Sequence, residues 1–204
     1  MNAEKSNAEV LMFKLCKTEE SSKRQRKIED TLLELMLEKH YDDITVSEIC
    51  EIADVPRKTF YRYFDGKEGV KNALLYHTLS DFSLFRLNRP DSSELKLRQE
   101  FEGLFTFWKS KHGVLEAFDK SGQIGLVVDS ATSYAMEEFS DISKYLSDSE
   151  DNEKIIAFQF AVCGLMTMTI NWYRSGFADS IPNLAKAATR IITKPLFENL
   201  TRTE

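Results

Sequence analysis

Glycine and proline are so scarce in this chain that few folds remain open to it. Its 204 residues include only 8 Gly and 4 Pro, and neither type occurs before Pro56. A sandwich of short strands needs turn formers about every 8–12 residues, so a mostly helical protein is expected. With 42% hydrophobic and 29% charged residues, the length suits one or two soluble domains. The uninterrupted apolar runs are short, as in Val10 to Phe13, far below the roughly 18 residues of a membrane span. No transmembrane helix, secretory leader or membrane partner is therefore expected, and the protein is read as cytoplasmic. Cys16, Cys50 and Cys163 are odd in number and widely separated. They suggest buried small residues rather than a disulfide framework or a zinc site.

Along the chain, residues 1–20 are weakly patterned and read as an extension, either disordered or a short docking helix. From Ser22, the residues Ile28, Leu32, Leu35 and Met36 share one face of a helix ending near Tyr41. Thr45-Val46-Ser47-Glu48 is a capping box launching a second helix with Val46, Ile49, Cys50 and Ala53 inward. Pro56 at the first position starts a third helix to about Tyr63. Asp65 as N-cap, with Glu68 three residues on, starts a fourth carrying Val70, Leu74 and His77.

Arg89 to Ser93 is the clearest break, and Leu97, Phe101, Leu104, Phe105 and Trp108 then mark an amphipathic helix ended by His112-Gly113. A short element over Val114 to Phe118, a long helix from Ile124 to Leu146 and an acidic loop over Asp141 to Glu153 follow. Ile155 to Tyr173 is apolar almost all round, which a helix tolerates only when packed on most sides. Ala157, Ala161 and Gly164 give it small-residue spacing suited to a dimer seam. A last helix from near Pro182 carries Leu184, Ala188, Ile191 and Ile192, and Pro195 should kink or end it.

Two short helices joined by a tight turn, Thr45 to Ala53 and Pro56 to Tyr63, form a helix-turn-helix candidate. Charge supports it: residues 21–27 carry +4, residues 28–54 carry −8 and residues 56–67 carry +3. Positive charge thus sits at the helix starts, where a phosphate backbone would lie. On the third helix, Phe60 and Phe64 are spaced to pack inward, leaving Arg57, Lys58, Thr59, Tyr61 and Arg62 outward on a face suited to the major groove. Lys27 of the first helix joins this candidate DNA-binding set.

Ile44-Thr45-Val46-Ser47-Glu48-Ile49 with Ala53-Asp54-Val55, then Thr59-Phe60-Tyr61-Arg62-Tyr63-Phe64 and Lys67-Glu68, resembles the N-terminal signature of the tetracycline-repressor (TetR) family of transcriptional regulators. The resemblance spans Ser22 to Leu75, with a looser echo at Asn171 to Phe177. It implies an all-α fold, with a three-helix helix-turn-helix head on a larger helical ligand-binding and dimerisation domain. The corresponding division is an extension at 1–20, a DNA-binding domain at 21–68 and an effector-binding and dimerisation domain at 69–204. It also implies a homodimer on a palindromic operator of double-stranded DNA, acting as a repressor released by a small-molecule effector. By motif position, Thr45 and Lys67 would contact phosphate, Tyr61 phosphate or a base edge, and Arg57, Lys58 and Thr59 would read bases. Phe60, Phe64, Ile49, Ala53 and Val55 would be core. Two positions depart from the family pattern. Pro56 stands where Ser or Thr commonly caps the third helix, and Gly69 replaces an acidic residue at a local cost of up to about 1 kcal/mol relative to Ala.

Phe105, Trp108, His112, Tyr134 and Trp172 are the candidate effector contacts, weighed against plain core packing. His40 and His77 read as structural. A DNA-docking interaction factor of the same fold without an effector is the alternative. With three isolated histidines, no phosphate-binding glycine loop and no metal-spaced ligands, neither an enzyme nor a cofactor is expected.

Overall fold

The computed structural model describes residues 12–87, 96–143 and 151–193. These form helices α1 (Glu19–Glu38), α2 (Val46–Ile52), α3 (Arg57–Tyr63), α4 (Lys67–Leu87), α5 (Lys96–Ser110), α6 (His112–Lys120), α7 (Ile124–Ser143), α8 (Asp151–Arg174) and α9 (Ile181–Thr193). A single 3₁₀ turn, Tyr41–Asp43, stands between α1 and α2. The all-α expectation holds. The break at residues 89–93, most of the acidic loop, and Pro195 lie outside the described residues.

The chain packs as two compact units, one of residues up to Thr78 with Glu116–Val127, the other of Leu79–Leu115 with Val128 onward. In the first, Ile28, Leu32, Leu35 and Met36 of α1 are buried at the expected spacing, with Ile49, Cys50, Ala53, Phe60, Phe64, Val70 and Leu74. Val55, expected in the core, is half-buried, as are Cys16 and Cys163. α1 begins three residues before the expected Ser22, because Thr18 caps it: the Thr18 hydroxyl accepts from the Ser21 N–H at 3.3 Å. The α6–α7 turn is tied into this unit by two lysines. Lys120 Nζ donates to the Leu37 carbonyl at 3.1 Å, satisfying one of the orphan acceptors at the end of α1, and buried Lys71 donates to Gln123 Oε1 at 3.0 Å.

In the second unit, Phe101 and Phe105 of α5, Trp172 of α8, and Ala185 and Ala188 of α9 form a buried cluster flanked by Leu165, Met168 and Phe177. The small alanines let α9 lie close against the aromatic side chains. The turn after α8 is tight, with Gly176 at φ 69° and Phe177 at φ 59°, and the Trp172 indole donates to the Asp179 carbonyl at 2.9 Å. His112-Gly113 does not end a helix as expected. The break falls one residue earlier, and His112 opens α6.

α8 departs most from expectation. Met166, Thr169, Ile170 and Trp172 are buried, but Ile156 is 61% and Phe160 71% exposed, with Ala157, Gly164, Thr167 and Asn171 on the open side. Instead of being packed on most sides, the helix presents a stripe at i, i+4 spacing through Ile156, Phe160 and Gly164. The stretch Ile155–Arg174 is also long and apolar enough to cross a membrane by length and composition alone, which run length had not suggested.

Candidate nucleic-acid interface

The turn between α2 and α3 is built by Asp54, which takes φ 52°. Asp is among the few side chains that enter the left-handed region readily. With it there, Val55 N–H reaches back to the Cys50 carbonyl at 2.9 Å, closing α2 in the manner of a Schellman cap. Pro56 then serves as N-cap rather than as first helical residue, without a side-chain capping bond. α3 is held by Phe60 and Phe64, both at most 1% exposed with rings 5.4 Å apart, and by buried Tyr63. Its open side carries Arg57, Lys58, Tyr61 and Arg62, while Thr59, expected to face outward with them, is half-buried.

These groups are organised. Arg57 donates to Ser47 Oγ at 3.0 Å and to the Tyr61 hydroxyl at 3.5 Å, so one guanidinium spans α2 and α3, and Tyr61 favours its charged form. Arg62 lies over the Tyr63 ring at 4.8 Å and donates to its hydroxyl at 2.7 Å. Ser47 was not among the residues singled out from sequence. Its exposed position on the first turn of α2, facing an arginine ten residues on, is visible only once the turn geometry is known.

Thr45 caps α2 as expected, its hydroxyl accepting from the Glu48 N–H at 3.2 Å. Glu48 does not complete the box. Its carboxylate pairs with Lys39 after α1, which holds its carboxyl below the usual range. The second expected box is also rewired. Gly66, at φ 133°, precedes α4, and Glu68 accepts from the Tyr41 hydroxyl at 2.7 Å and pairs with Lys71. Lys67 places its ammonium against three carbonyls, Tyr41, Asp42 and Ile44, at 2.9, 3.1 and 3.0 Å, and over the Tyr41 ring. All three ammonium donors are thereby used inside the head. Lys27 is exposed on α1. Lys23 and Arg24 are paired with Glu19 and Glu20 one turn earlier, so the early start of α1 offsets charge that residues 21–27 alone suggest is unpaired.

The extension contributes a feature absent from the sequence reading. Residues 12–18 are neither helical nor detached. Phe13 forms an antiparallel bridge with Phe64, the Asp65 N–H donates to the Met12 carbonyl at 3.0 Å, and the Lys14 N–H donates to the Tyr63 carbonyl at 2.9 Å. Gln25 of α1 clamps the Lys14 carbonyl at 3.0 Å. The Phe13 side chain is 5% exposed, with its ring 5.6 Å from Tyr76 and 5.8 Å from His77. His77 Nδ1 in turn lies 2.9 Å from both oxygens of buried Glu29. This strap explains Gly69: a Cβ there would stand 2.2 Å from the Met12 carbonyl oxygen. Glycine replaces a side chain because the strap's backbone occupies its place.

Of the aromatic residues in the second unit, Phe105 and Trp172 meet edge-on at 5.7 Å, and Trp172 meets Phe177 at 4.7 Å. Exposed His112 is edge-on to the same Phe177 at 6.3 Å. Trp108, 1% exposed, meets Phe107, and Tyr134 is half-buried on α7.

Residues 28–74 match the family of bacterial regulatory proteins, tetR family. No curated protein matches the chain. Among solved structures, a tetR-family transcriptional regulator from Streptomyces coelicolor is 17% identical with a TM-score of 0.59, covering 84% of this chain and 79% of its own. The fatty acid degradation regulator FadR from Bacillus halodurans is 19% identical with a TM-score of 0.58, covering 83% and 94% respectively. The dihydroxyacetone kinase operon activator DhaS is 18% identical with a TM-score of 0.54, covering 83% and 93%. At these identities the structures establish the fold, and the matched segment runs from α1 through the helix-turn-helix into α4. The head of this chain is thus similar to that of the tetR family of bacterial regulatory proteins, and it stands on a fold shared with these solved structures.

Proposed function

We propose that this regulator is a non-enzymatic, cytoplasmic repressor that binds a palindromic operator as a homodimer and leaves it when a small molecule enters the second unit. The observation that carries the DNA-binding part is the open face of α3. Arg57, Lys58, Tyr61 and Arg62 are exposed together, and Arg57 is already oriented by Ser47 and Tyr61. A side chain fixed before binding loses less freedom on contact with a base edge. Thr45 and Lys27 are assigned to phosphate, as contacts that set register. Lys67, expected on phosphate, is assigned an indirect role, holding the 3₁₀ turn before α2 through its three carbonyl contacts. Dimerisation is assigned to α8 and α9, whose Ile156, Phe160, Ile191 and Ile192 are exposed.

Effector contacts are assigned to Phe105, Trp108, His112, Tyr134 and Trp172. The ring-to-ring packing of Phe105, Trp172 and Phe177 also favours a second reading, in which this cluster is closed core and the body recruits another protein. The name of DhaS, an operon activator, belongs to that protein, and leaves activation as the counterpart to repression here. Selection of binding sites from random duplex DNA at two salt concentrations tests the proposal, with the nonspecific phosphate contribution subtracted. An enriched palindrome whose half-sites lie about one or more helical turns apart is the expected result. Equal retention of all sequences would overturn it. A metabolite panel scored for release of the enriched site then separates the two readings of the body.

A further inference from the structure

The strap before α1 pairs with the residues that leave α3, and it carries cations for which the helix-turn-helix has no structural use. Phe13 points inward, so by strand alternation Lys14 points the other way, and both Lys14 and Lys17 are exposed. Three backbone contacts fix the strap to the exit of α3, at Tyr63 and Asp65, and to α1 at Gln25. The position is obligatory on the helix side as well, since Gly69 yields its side-chain space to the Met12 carbonyl. Cys16 lies within electrostatic reach of Arg62: burial and Glu29 push its thiol up, and the Arg62 guanidinium pulls it down. From Lys14 to Lys27 the chain carries six cations against Glu19 and Glu20, and those two carboxylates face Lys23 and Arg24. Neither Lys14 nor Lys17 has an ion-pair partner among the described residues.

We infer that residues 12–18 form a phosphate-binding edge of the DNA interface, in which the strap docked at the exit of α3 presents Lys14 and Lys17 to the DNA backbone. This rests on the DNA-binding reading above and adds to it a contact surface outside the helix-turn-helix. The recognised chemistry is the phosphodiester of duplex DNA, contacted without regard to sequence.

The test compares the full-length wild type with K14A/K17A and with G69A, measuring affinity by fluorescence anisotropy over a range of salt concentrations. The probes are the selected duplex and a random duplex. For every phosphate that a variant no longer neutralises, the plot of log affinity against log salt becomes shallower by about 0.9. K14A/K17A is expected to lower the slope by about 1 to 2 and to weaken both duplexes by the same factor. G69A keeps every charge but displaces the strap, so a fall in slope there shows that placement matters as well as charge. If wild type binds with a slope that K14A/K17A leaves unchanged, the strap does not touch DNA and this inference fails while the DNA-binding reading stands. If wild type binds neither duplex, both fail.

Discussion

At the scale of single residues, Gly69 is the most informative position in the head. A glycine in a helix ordinarily costs up to about 1 kcal/mol relative to Ala, yet here a Cβ would meet the Met12 carbonyl oxygen at 2.2 Å. Gly69→Ala should therefore destabilise the protein although it favours the helix. In a Phe13→Ala background, where the strap has no buried anchor, the same change should stabilise by up to about 1 kcal/mol. Urea unfolding of the four proteins reads the change of sign, and a stabilising Gly69→Ala in wild type would mean the strap is not held as described. Glu29 gives a second residue-scale expectation. Burial pushes its carboxyl above the usual range, against the opposing influence of His77. A carboxyl raised in the folded state binds more protons folded than unfolded, so its contribution to stability falls as pH rises from the ordinary carboxylate range toward the raised value. Glu48 and Glu68, both lowered, contribute in the opposite direction, losing stability as pH falls. The stability difference between wild type and Glu29→Gln should therefore move against wild type as pH increases through that window. A difference independent of pH would show that Glu29 titrates in the folded protein as it does unfolded.

At the scale of elements, the helix-turn-helix is legible in sequence because its signals are local. The Thr45 cap, the left-handed Asp54, Pro56 and the Phe60/Phe64 pair each act within one turn of the residues they constrain. The second halves of both capping boxes are illegible for the opposite reason. Glu48 pairs with Lys39 and Glu68 with Tyr41, partners that packing brings in from other elements, and Lys71 of α4 then takes the second oxygen of Glu68. The strap is hidden in the same way: nothing in Met12-Phe13-Lys14 announces a bridge to residues fifty positions on. Its one trace in the sequence is Gly69, a departure from the family pattern with no local cause. On α3, side chains that read bases and those that grip phosphate should separate in binding assays. Arg57→Ala or Lys58→Ala should relax sequence preference by about 1–3 kcal/mol for each base contact removed, whereas Tyr61→Phe should weaken selected and random duplexes alike. Equal losses on both duplexes for the Arg57 and Lys58 changes would remove them from the reading set.

At the scale of the whole molecule, the stripe on α8 is the feature that one chain leaves unfinished. Gly164 has nothing within 4 Å of the position its Cβ would take, so the single chain gives no reason for a helix-weakening residue there. A close-packed second copy would. Phe160→Glu places a charge on a side chain 71% exposed in the single chain, so the fold should survive while the proposed dimer dissociates. Sedimentation should show a monomer, and affinity for a two-half-site duplex should drop toward that for one half-site. A dimer that persists would place the seam elsewhere. The discontinuous build of the first unit has a practical consequence for anyone recombining regulators. The helices that flank the helix-turn-helix, α1 and α4, are tied to residues 12–18 on one side and to Lys120 and Gln123 on the other, far along the chain. A graft of α1 to the start of α4 alone would carry a Gly69 whose Met12 neighbour was left behind and a buried Lys71 stripped of its Gln123 acceptor. Such grafts should be cut so that strap, helices and the α6–α7 turn travel as one cassette.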